Sequence, residues 1–350
     1  MKAVTKRNIN EIAQLAGVST ATVSRVINNA ECVRPKTREK VLRIIEEYNY
    51  IPSETARGLS RKKSNAIGIV FPDLKNPFYY GLLQGISDVA EQKGYSVLMF
   101  YTDENAQKEK EILKVAKGRD LAGLIITAVG VADPETAALL QSFEAENIPV
   151  ILLDRQMKVG KFCTIQAENE EGSYQAVMQL IREGHRKIAL IEGDKNLSPV
   201  EERCRGFRRA MEECKIPVRP EYLIHASQKA EFAYKGMNTI LKLPDPPTAL
   251  FSTNNMTTLG ALRCITEHQI RIGRDISIIG FDDIEFLNII DYGLSVVERS
   301  ERKMGEAAMK ALLLRLEGRE QEAYEIQRIP ARLILRGSEK FNRFKTADAF

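Results

Sequence analysis

The first 50 residues carry the apolar repeat of a set of short helices. At the start of the first helix, Asn8 can accept a main-chain hydrogen bond and Glu11 follows three residues later, which is a capping-box pattern. The apolar side of this helix is predicted to contain Ile12, Ala13, Leu15 and Ala16. Gly17 then supplies a tight turn, because a residue without a Cβ adopts positive φ at little cost.

Two further helices follow the turn. Ser19 is predicted to cap a second helix from about Thr20 to Asn28, and Pro35 to begin a third that runs to about Asn49. Their inward sides are predicted to be Val23, Val26 and Ile27 in the second helix and Val41, Leu42, Ile44 and Ile45 in the third. Two short helices joined by a glycine turn are typical of a helix-turn-helix, whose second helix enters the DNA major groove. Residues 1–50 are therefore predicted to be an all-α DNA-binding domain, with a solvated helix pair inside another bundle as the alternative.

The polar side of the second helix carries small groups and hydrogen-bond donors that suit base edges and phosphates. Base contacts are predicted for Thr20, Ala21 and Arg25. Phosphate or flanking contacts are predicted for Ser19, Thr22, Ser24, Asn28, Thr37 and Tyr50. Residues 1–64 contain 13 Lys or Arg and 6 Asp or Glu, a balance of +7, whereas the rest of the chain has a balance of −3. A basic head on a slightly acidic body favours phosphate-backbone binding, although a merely solvated basic surface would have the same charge.

Residues 51–64 differ from the helices before them. Pro52 ends the first domain, and Ser53–Leu59 is long enough for about two helical turns, which Gly58 weakens. Because so short a helix is marginal alone in water, we expect a hinge helix and linker that become ordered only against a partner. The basic residues that follow either contact phosphates or stay solvated, and they are Arg61, Lys62 and Lys63.

From residue 65 onward, short apolar runs alternate with amphipathic stretches. The runs, predicted as strands, are Ala66–Phe71, Ser96–Tyr101, Leu121–Thr127, Pro149–Asp154, Lys187–Glu192, Ala249–Ser252 and Ile276–Gly280. A helix is predicted from Phe78 to Lys93, and Gly94 ends it. This alternation predicts doubly wound parallel sheets covered on both faces. In such sheets ligands bind beyond the carboxyl ends of the strands.

Polar residues follow several of these strands at equivalent positions. They are Asp73, Asn76, Asp154, Arg155, Asn254, Asn255, Asp282 and Asp283. Any one of them suits a loop or a helix cap, but together they favour a hydrogen-bonding cleft. Apolar faces for a sugar ring would come from Phe78, Tyr79, Phe232 and Phe281. Core packing is the alternative for the last two.

Other classes of site find little support in the sequence. The polar start has no signal peptide, and no apolar run approaches the roughly 18 residues of a membrane span. The 5 cysteines are scattered and the 3 histidines form no ligand cluster, so we expect reduced thiols, a cytoplasmic protein, no metal and no cofactor. Neither a phosphate-binding loop nor a nucleophile elbow is present, which argues against an enzyme.

Longer motifs resemble one family over nearly the whole chain, from about residue 8 to residue 337. They include GVSTATVSRVIN, RPKTREKV, YIPSETARGLSRKKS and IGIVFPDLKNPFY near the start, then ILLDR, GHRKIALIEG, FSTNNMTTLGAL and DISIIGFDD. In these motifs, and in their order, the chain resembles the LacI/GalR family of bacterial transcriptional regulators.

The resemblance implies a periplasmic-binding-protein-like α/β core at 65–338, built from two doubly wound parallel-sheet subdomains joined by three crossovers. The N-subdomain is expected at about 65–182 and 298–326, the C-subdomain at about 183–297 and 327–338, and a tail at 339–350. An effector would lie between the subdomains. Carried over by motif, its contacts would be Asp73, Asn76, Phe78, Arg155, Arg203, Asn254 and Asp282, and Phe232 would join them by approximate spacing alone. In the hinge, Ala56 would contact DNA and Leu59 would enter the minor groove as an apolar wedge that kinks the duplex.

The sequence departs from the family pattern at two positions in this region. Relatives usually have Asn-Asp where this chain has Asn254-Asn255, which removes a charge near the cleft. They tend to have Gln where VVERS puts Arg299, so Arg299 joins Arg155 and Arg203 as a third guanidinium. Guanidiniums suit a carboxylate or phosphate, which makes Arg299 a candidate effector contact for an anionic ligand. The alternative for Arg299 is an ion pair with Glu298, with Glu301 or with a cleft aspartate.

The predicted function is a DNA-binding transcriptional regulator, acting as a repressor, whose operator affinity is controlled by a small sugar-like effector. A sugar acid or a sugar phosphate is one form that this effector could take. A homodimer on double-stranded operator DNA is expected because paired half-sites need two recognition helices, and the tail contains no leucine heptads that would support a tetramer. Within this class the alternative is a response to a purine or to a phosphoprotein. A sugar-binding transport protein is the alternative from another class, but it would need an export signal.

Overall fold

The computed structural model describes residues 8–27, 32–50, 64–129, 132–227, 229–319 and 325–341. The chain divides into two compact units, Met1–Ser64 and Asn65–Phe350. The division falls at the predicted end of the linker. Among the predicted DNA contacts, Asn28, Ala56 and Leu59 lie outside the described residues, as does the predicted hinge helix.

The first unit contains three helices in its described part: α1 (Ile9–Ala16), α2 (Thr20–Ile27) and α3 (Pro35–Glu47). Asn8 Oδ1 accepts hydrogen bonds from the N–H groups of Asn10 and Glu11 at 3.0 and 3.1 Å, so the predicted cap of α1 is confirmed. The buried core of this unit is formed by Ile12, Ala13, Ala16, Val23, Val26 and Val41.

Two leucines predicted to face this core do not face it. Leu15 is 39% exposed and Leu42 is 48% exposed. In α1 the buried stripe runs through Ile12, Ala13 and Ala16, and Leu15 lies on its flank. In α3, Leu42 follows the buried Val41 by one residue and is therefore turned about 100° away from it around the helix axis.

The second unit begins with eight elements, which are β1 (Ala66–Phe71), α4 (Pro77–Gln92), β2 (Ser96–Tyr101), α5 (Ala106–Lys117), β3 (Gly123–Ile126), α6 (Pro134–Ala145), β4 (Val150–Leu153) and β5 (Cys163–Ala167). Strands and helices alternate up to β4, and β5 follows β4 directly. The middle of the unit contains α7 (Asn169–Arg182), β6 (Ile188–Glu192), α8 (Ser198–Glu213), a 3₁₀ turn (Pro220–Tyr222), β7 (Leu223–His225), α9 (Ala230–Ile240), β8 (Ala249–Ser252) and α10 (Asn255–Glu267). The last elements are β9 (Ser277–Phe281), α11 (Glu285–Ile289), β10 (Ser295–Arg299), α12 (Glu301–Leu316), β11 (Ile326–Ile329) and β12 (Ala331–Ile334).

These strands form two six-stranded sheets. The first has the order β11-β5-β4-β3-β1-β2 and is parallel throughout. The second has the order β12-β10-β9-β8-β6-β7 and is parallel except for β12, which pairs antiparallel with β10. Helices cover both sheets, so the predicted pair of doubly wound α/β subdomains is confirmed.

In the described part of the second unit, the chain crosses between the subdomains three times, near Glu168, Ser300 and Pro330. The crossings differ from the predicted ones at 182/183, 297/298 and 326/327. Helix α7 belongs to the C-subdomain because it packs on α8 so closely that a Cβ at Gly206 would lie 2.2 Å from the carbonyl oxygen of Glu170. Helix α12 packs on α4 of the N-subdomain in the same way, and a Cβ at Gly85 would lie 2.0 Å from the carbonyl oxygen of Arg302.

No helix in the described ranges has the length and the apolar composition that crossing a membrane requires.

A buried carboxylate lies in the N-subdomain, on α5. Glu109 is 1% exposed and accepts hydrogen bonds from the N–H of Val129 at 2.8 Å and from the hydroxyl of Thr136 at 3.4 Å. Burial raises the pKa of Glu109 to about 7, and these two hydrogen bonds and the charge of Arg155 offset only part of that effect.

Replacing Glu109 should change how the stability of this unit depends on pH. The folded protein holds the Glu109 proton more tightly than the unfolded chain, whose carboxyl has the ordinary pKa. The contribution of Glu109 to the free energy of unfolding is therefore full below about pH 4.5 and is lost as the pH rises to about 7. Glu109→Gln cannot ionise and keeps an acceptor for Val129. The free energy of unfolding of Glu109→Gln, measured relative to the parent by urea unfolding of the α/β unit, should therefore rise by about 2–3 kcal/mol from pH 5 to pH 8.

Glu111→Gln is the matched control, since Glu111 is exposed on the same helix. The control should follow the parent at both pH values. A stability difference between Glu109→Gln and the parent that stays constant from pH 5 to pH 8 would contradict the assignment.

Candidate functional site

The turn between α1 and α2 has the geometry that its sequence predicts. Gly17 has a φ of +64°, in the left-handed region. Ser19 Oγ accepts a hydrogen bond from the N–H of Thr22 at 3.2 Å and lies 2.9 Å from the hydroxyl of Thr22. Ser19 is therefore the cap of α2, as predicted, and the Thr22 hydroxyl is hydrogen-bonded within the turn.

The outward side of α2 exposes part of the predicted DNA-reading set. Thr20, Ala21 and Arg25 are exposed, as is Ser19 before them, whereas the flanking residues Thr22 and Ser24 are half-buried. The other two predicted contacts in this unit are Thr37, half-buried in the first turn of α3, and Tyr50, which packs against the core of the unit. The three residues predicted to read bases thus share the most accessible side of the helix.

The second candidate site is a cleft between the two α/β subdomains, at the carboxyl ends of both sheets. Seven of the nine predicted effector contacts line it: Asn76, Phe78, Arg155, Arg203, Asn254, Asp282 and Arg299. Tyr79 and Asp154, both noted in the sequence but not included among the effector contacts, line it as well. Leu197, Pro199 and Val200 complete the lining, and no polar pattern in the sequence marks them.

Two predicted contacts lie away from this cleft. Asp73 accepts a hydrogen bond from the N–H of Lys75 at 2.8 Å, which is a turn within its own loop. Phe232 lies in the first turn of α9 with 46% of its surface exposed and with Lys235 Nζ 5.9 Å from its ring centre. Neither is among the residues that line the cleft, and Phe232 was inferred from approximate spacing alone.

Arg155 is held entirely by the N-subdomain. Its guanidinium donates to both carboxylate oxygens of Glu104, at 2.6 and 2.9 Å, to the carbonyl of Ala128 at 3.1 Å and to the Tyr79 hydroxyl at 3.3 Å. Burial and the neighbouring Arg155 act in opposite directions on Tyr79, and burial, the larger effect, raises the pKa of Tyr79. Glu104 was not predicted, because its pairing with Arg155 joins positions 51 residues apart.

Arg203 has neutral partners in the C-subdomain. It donates twice to Asn169 Oδ1, at 3.0 and 2.9 Å, and to the carbonyl of Thr253, while Phe281 lies beneath it with 3.7 Å between guanidinium carbon and ring centre. The nearest carboxylate oxygen belongs to Asp282, at 4.0 Å. Burial, reinforced by the charge of Arg299, lowers the pKa of Arg203 to about 10, which still leaves it charged at neutral pH.

Arg299 joins the two subdomains. It donates to Asp282 of the C-subdomain at 2.6 and 3.4 Å and to Asp154 of the N-subdomain, and its guanidinium carbon lies 3.6 Å from the ring centre of Phe78. The Arg299 side chain is 4% exposed. This is the second of the two roles that the sequence left open, an ion pair with cleft aspartates. Just beyond the cleft, burial and the charge of Asp282 raise the pKa of Glu301 to about 7.

Two neutral hydrogen bonds also connect the subdomains at the cleft. Asn255 donates to Asn76 Oδ1 at 2.8 Å, and the same oxygen accepts from the N–H of Phe78 at 3.0 Å, capping α4. The N–H of Gln156 donates to Ser198 Oγ at 2.9 Å. With these contacts made, the open space of the cleft is about 30 Å³. That is room for a few water molecules at most, since one water needs roughly 10–15 Å³ on this measure.

Both the helix-turn-helix region and the α/β unit match known protein families. Residues 8–53 match the model for bacterial regulatory proteins of the lacI family, and residues 177–339 match the periplasmic binding protein-like domain. The HTH-type transcriptional repressor PurR of Haemophilus influenzae is 32% identical over 334 residues, which cover 95% of this chain and 98% of that protein. The chain belongs to the LacI family.

Solved structures of LacI-family members have the same fold. The Lac repressor dimer bound to operator and the anti-inducer ONPF is 28% identical with a TM-score of 0.85, covering 96% of this chain and all of that one. A LacI family transcriptional regulator from Enterococcus faecium with bound ribose is 26% identical with a TM-score of 0.69, covering 79% and 98%. This LacI-family chain is therefore a DNA-binding transcriptional repressor with an effector-binding core, and its relatives are regulators rather than enzymes.

The departure at Asn255 yields a test of the hydrogen bond that it makes across the cleft. Asn255→Asp would put a buried carboxylate oxygen against Asn76 Oδ1, and Asn76 cannot turn its amide without losing its bond to Phe78 N–H. At pH 8 the variant should lose about 1–3 kcal/mol of unfolding free energy. It should also show faster amide hydrogen exchange at Phe78. Asn196→Asp, which adds the same charge at an exposed position, should match the parent. If Asn255→Asp has the same stability and the same exchange rate at Phe78 as the parent, the hydrogen bond between Asn255 and Asn76 does not stabilise the contact between the subdomains.

Proposed function

We propose that this repressor binds a two-fold symmetric operator as a homodimer and that a small polyhydroxylated ligand in the cleft controls its operator affinity. The observation that carries the proposal is the convergence of seven predicted polar and aromatic residues at the carboxyl ends of two facing sheets, in a chain that begins with a helix-turn-helix. Any change in operator affinity must equal the ligand's differential affinity for two conformations of the core, typically about 1–3 kcal/mol.

Base reading is assigned to the exposed side of α2. Arg25 can donate two parallel hydrogen bonds to a guanine, and Thr20 and Ala21 can contact neighbouring base edges. Ser19, Thr22, Ser24, Thr37 and Tyr50, together with Asn28, would contact phosphates around them. The charge of +7 in residues 1–64 supports an electrostatic attraction to the duplex. The wedge role of Leu59 stays a prediction.

The homodimer is supported by apolar side chains on the outside of both subdomains. The edge strand β2 exposes Leu98, Met99 and Tyr101, at 37%, 42% and 47%. In the C-subdomain, Phe286 and Ile289 are 66% and 73% exposed. An exposed apolar edge strand is a liability unless a partner covers it. A second copy fits this role, as the Lac repressor relative is a dimer on its operator.

A polyhydroxylated ligand suits the cleft because its carboxylates and amides accept from and donate to hydroxyl groups, while Phe78 offers a flat face to a ring. The bound ribose of the Enterococcus faecium relative supports this class. A carboxylate or phosphate on the ligand would depend on Arg203, because Arg155 and Arg299 already donate to carboxylates. A purine is the second candidate, since a planar base would also stack on Phe78 and since relatives at 32% identity bear the name PurR.

Removing Arg25 tests the DNA half of the proposal. Arg25→Ala should weaken binding to the preferred duplex by about 1–3 kcal/mol in a gel-shift titration and relax the base preference at one position of each half-site. Lys40→Ala, which removes an exposed charge of α3, should weaken all duplexes alike and leave the preference unchanged. A duplex with one half-site should bind more weakly than one with two. Unchanged preference in Arg25→Ala would refute base reading by this residue.

The adjacent aspartates after β9 form a matched pair for testing the cleft. Asp282 lines it, whereas Asp283 turns away and pairs with Arg336 at 2.7 Å. In calorimetry with ribose, gluconate, glucose 6-phosphate and hypoxanthine, the compound that binds the parent should bind Asp282→Asn about 10–100-fold more weakly, since a hydrogen bond to a charged group contributes roughly 1.5–3 kcal/mol. Asp283→Asn should bind it as the parent does. Equal affinity in all three proteins would place the ligand elsewhere.

A further inference from the structure

Arg299 occupies the part of the cleft where a ligand ring would stack. Its guanidinium carbon is 3.6 Å from the centre of the Phe78 ring, which is direct contact between a cation and an aromatic face. The guanidinium covers the face that was assigned to a sugar or base, and about 30 Å³ of open space remains around it. A ligand ring cannot stack on this face of Phe78 while Arg299 keeps this position.

The same side chain neutralises two buried carboxylates that belong to different subdomains. Asp154 is 4% exposed and Asp282 is 1% exposed. Arg203 contacts Asp282 only at 4.0 Å and donates its hydrogen bonds elsewhere, so Arg299 is the main cation of this pair. Without it, both buried carboxylates would lose the cation that they share, which is strongly unfavourable. The closed cleft therefore depends on Arg299.

We infer that Arg299 is a tethered occupant of the cleft: a guanidinium supplied by the chain itself, which closes the two subdomains on each other in the absence of a ligand. An external ligand must displace it from Phe78 before it can bind. The measured affinity of the ligand is then reduced, because only the fraction of molecules in which Arg299 has left the site can bind it. Arg299 thereby sets how much ligand the repressor needs. The part that concerns ligand displacement rests on the proposed function, whereas the closing role does not.

Chemical rescue tests the closing role without any effector. Arg299→Ala vacates the guanidinium position and should unfold at a lower temperature than the parent. Methylguanidinium chloride, at about ten times its Kd for the vacated position, should raise the Tm of this variant by about 2–4 °C. Methylammonium chloride at the same concentration, a cation without the planar fork, should not. The parent and Arg302→Ala, which removes an exposed arginine three residues later, should respond to neither compound.

A second variant tests displacement and avoids an excess of buried negative charge. The double variant Asp154→Asn with Arg299→Gln leaves Asp282 as the one charge of the three groups, so their sum stays −1 as in the parent. In calorimetry, the compound that binds the parent should bind this double variant as well, and its Kd for the double variant should be about tenfold lower or more.

The outcomes separate the two proposals. Loss of stability in Arg299→Ala without rescue by methylguanidinium, or equal shifts in Arg302→Ala, would overturn the tethered occupant whatever the effector is. A Kd in the double variant equal to that of the parent would overturn its displacement by ligand. Specific rescue by methylguanidinium together with no binding of any polyol or base would leave the tethered occupant standing and refute the effector class.

Discussion

The charges between the two facing sheets have to be paired, and the arrangement of the core follows from that requirement. Three arginines and two aspartates, Asp154 and Asp282, are removed from water where the strands of both subdomains end. An unpaired buried charge costs several kcal/mol, so each charged group buried in the cleft needs an opposite charge or a hydrogen-bonding partner. Arg299 satisfies one carboxylate from each side at once, with Phe78 as its floor. With this pairing made, about 30 Å³ of open space is left in the cleft.

The backbone presents the two aspartates in the same way. Asp154 follows β4 and Asp282 follows β9, and both adopt left-handed φ values, +69° and +70°. Each still donates its N–H to the neighbouring strand, Asp154 to Ile165 and Asp282 to Val297, at 2.7 and 2.9 Å. The last ladder bond thus holds the residue while the turn aims its carboxylate beyond the sheet. Aspartate tolerates this conformation better than most residues, which suits it to both strand ends.

The local parts of the structure could be predicted from sequence, because their signals lie within a few residues. The caps at Asn8 and Ser19 and the bounds of β1, β2 and β8 depend on such signals. Strand β5 gave none, because its apolar positions alternate with Thr164 and Gln166, both buried by contacts from elsewhere in the fold. The sequence also has no signal for pairing between distant residues. Nothing near Arg155 indicates that it pairs with Glu104, and nothing near Arg299 shows whether its partner is a ligand or an aspartate. Motif position located the cleft, but only the fold showed which guanidiniums are already paired.

The three arginines differ in how they would respond to a relative rotation of the subdomains. Arg155 makes its hydrogen bonds within the N-subdomain, and Arg203 makes its hydrogen bonds within the C-subdomain, so a rigid rotation changes neither set. Arg299 has partners on both sides, and a rotation must break its contact with Asp154, with Asp282 or with Phe78. Packed interiors rearrange between discrete states rather than deforming continuously. A single side chain that holds both halves is therefore a place where two such states differ in energy, and a ligand or a substitution there can bias the whole core.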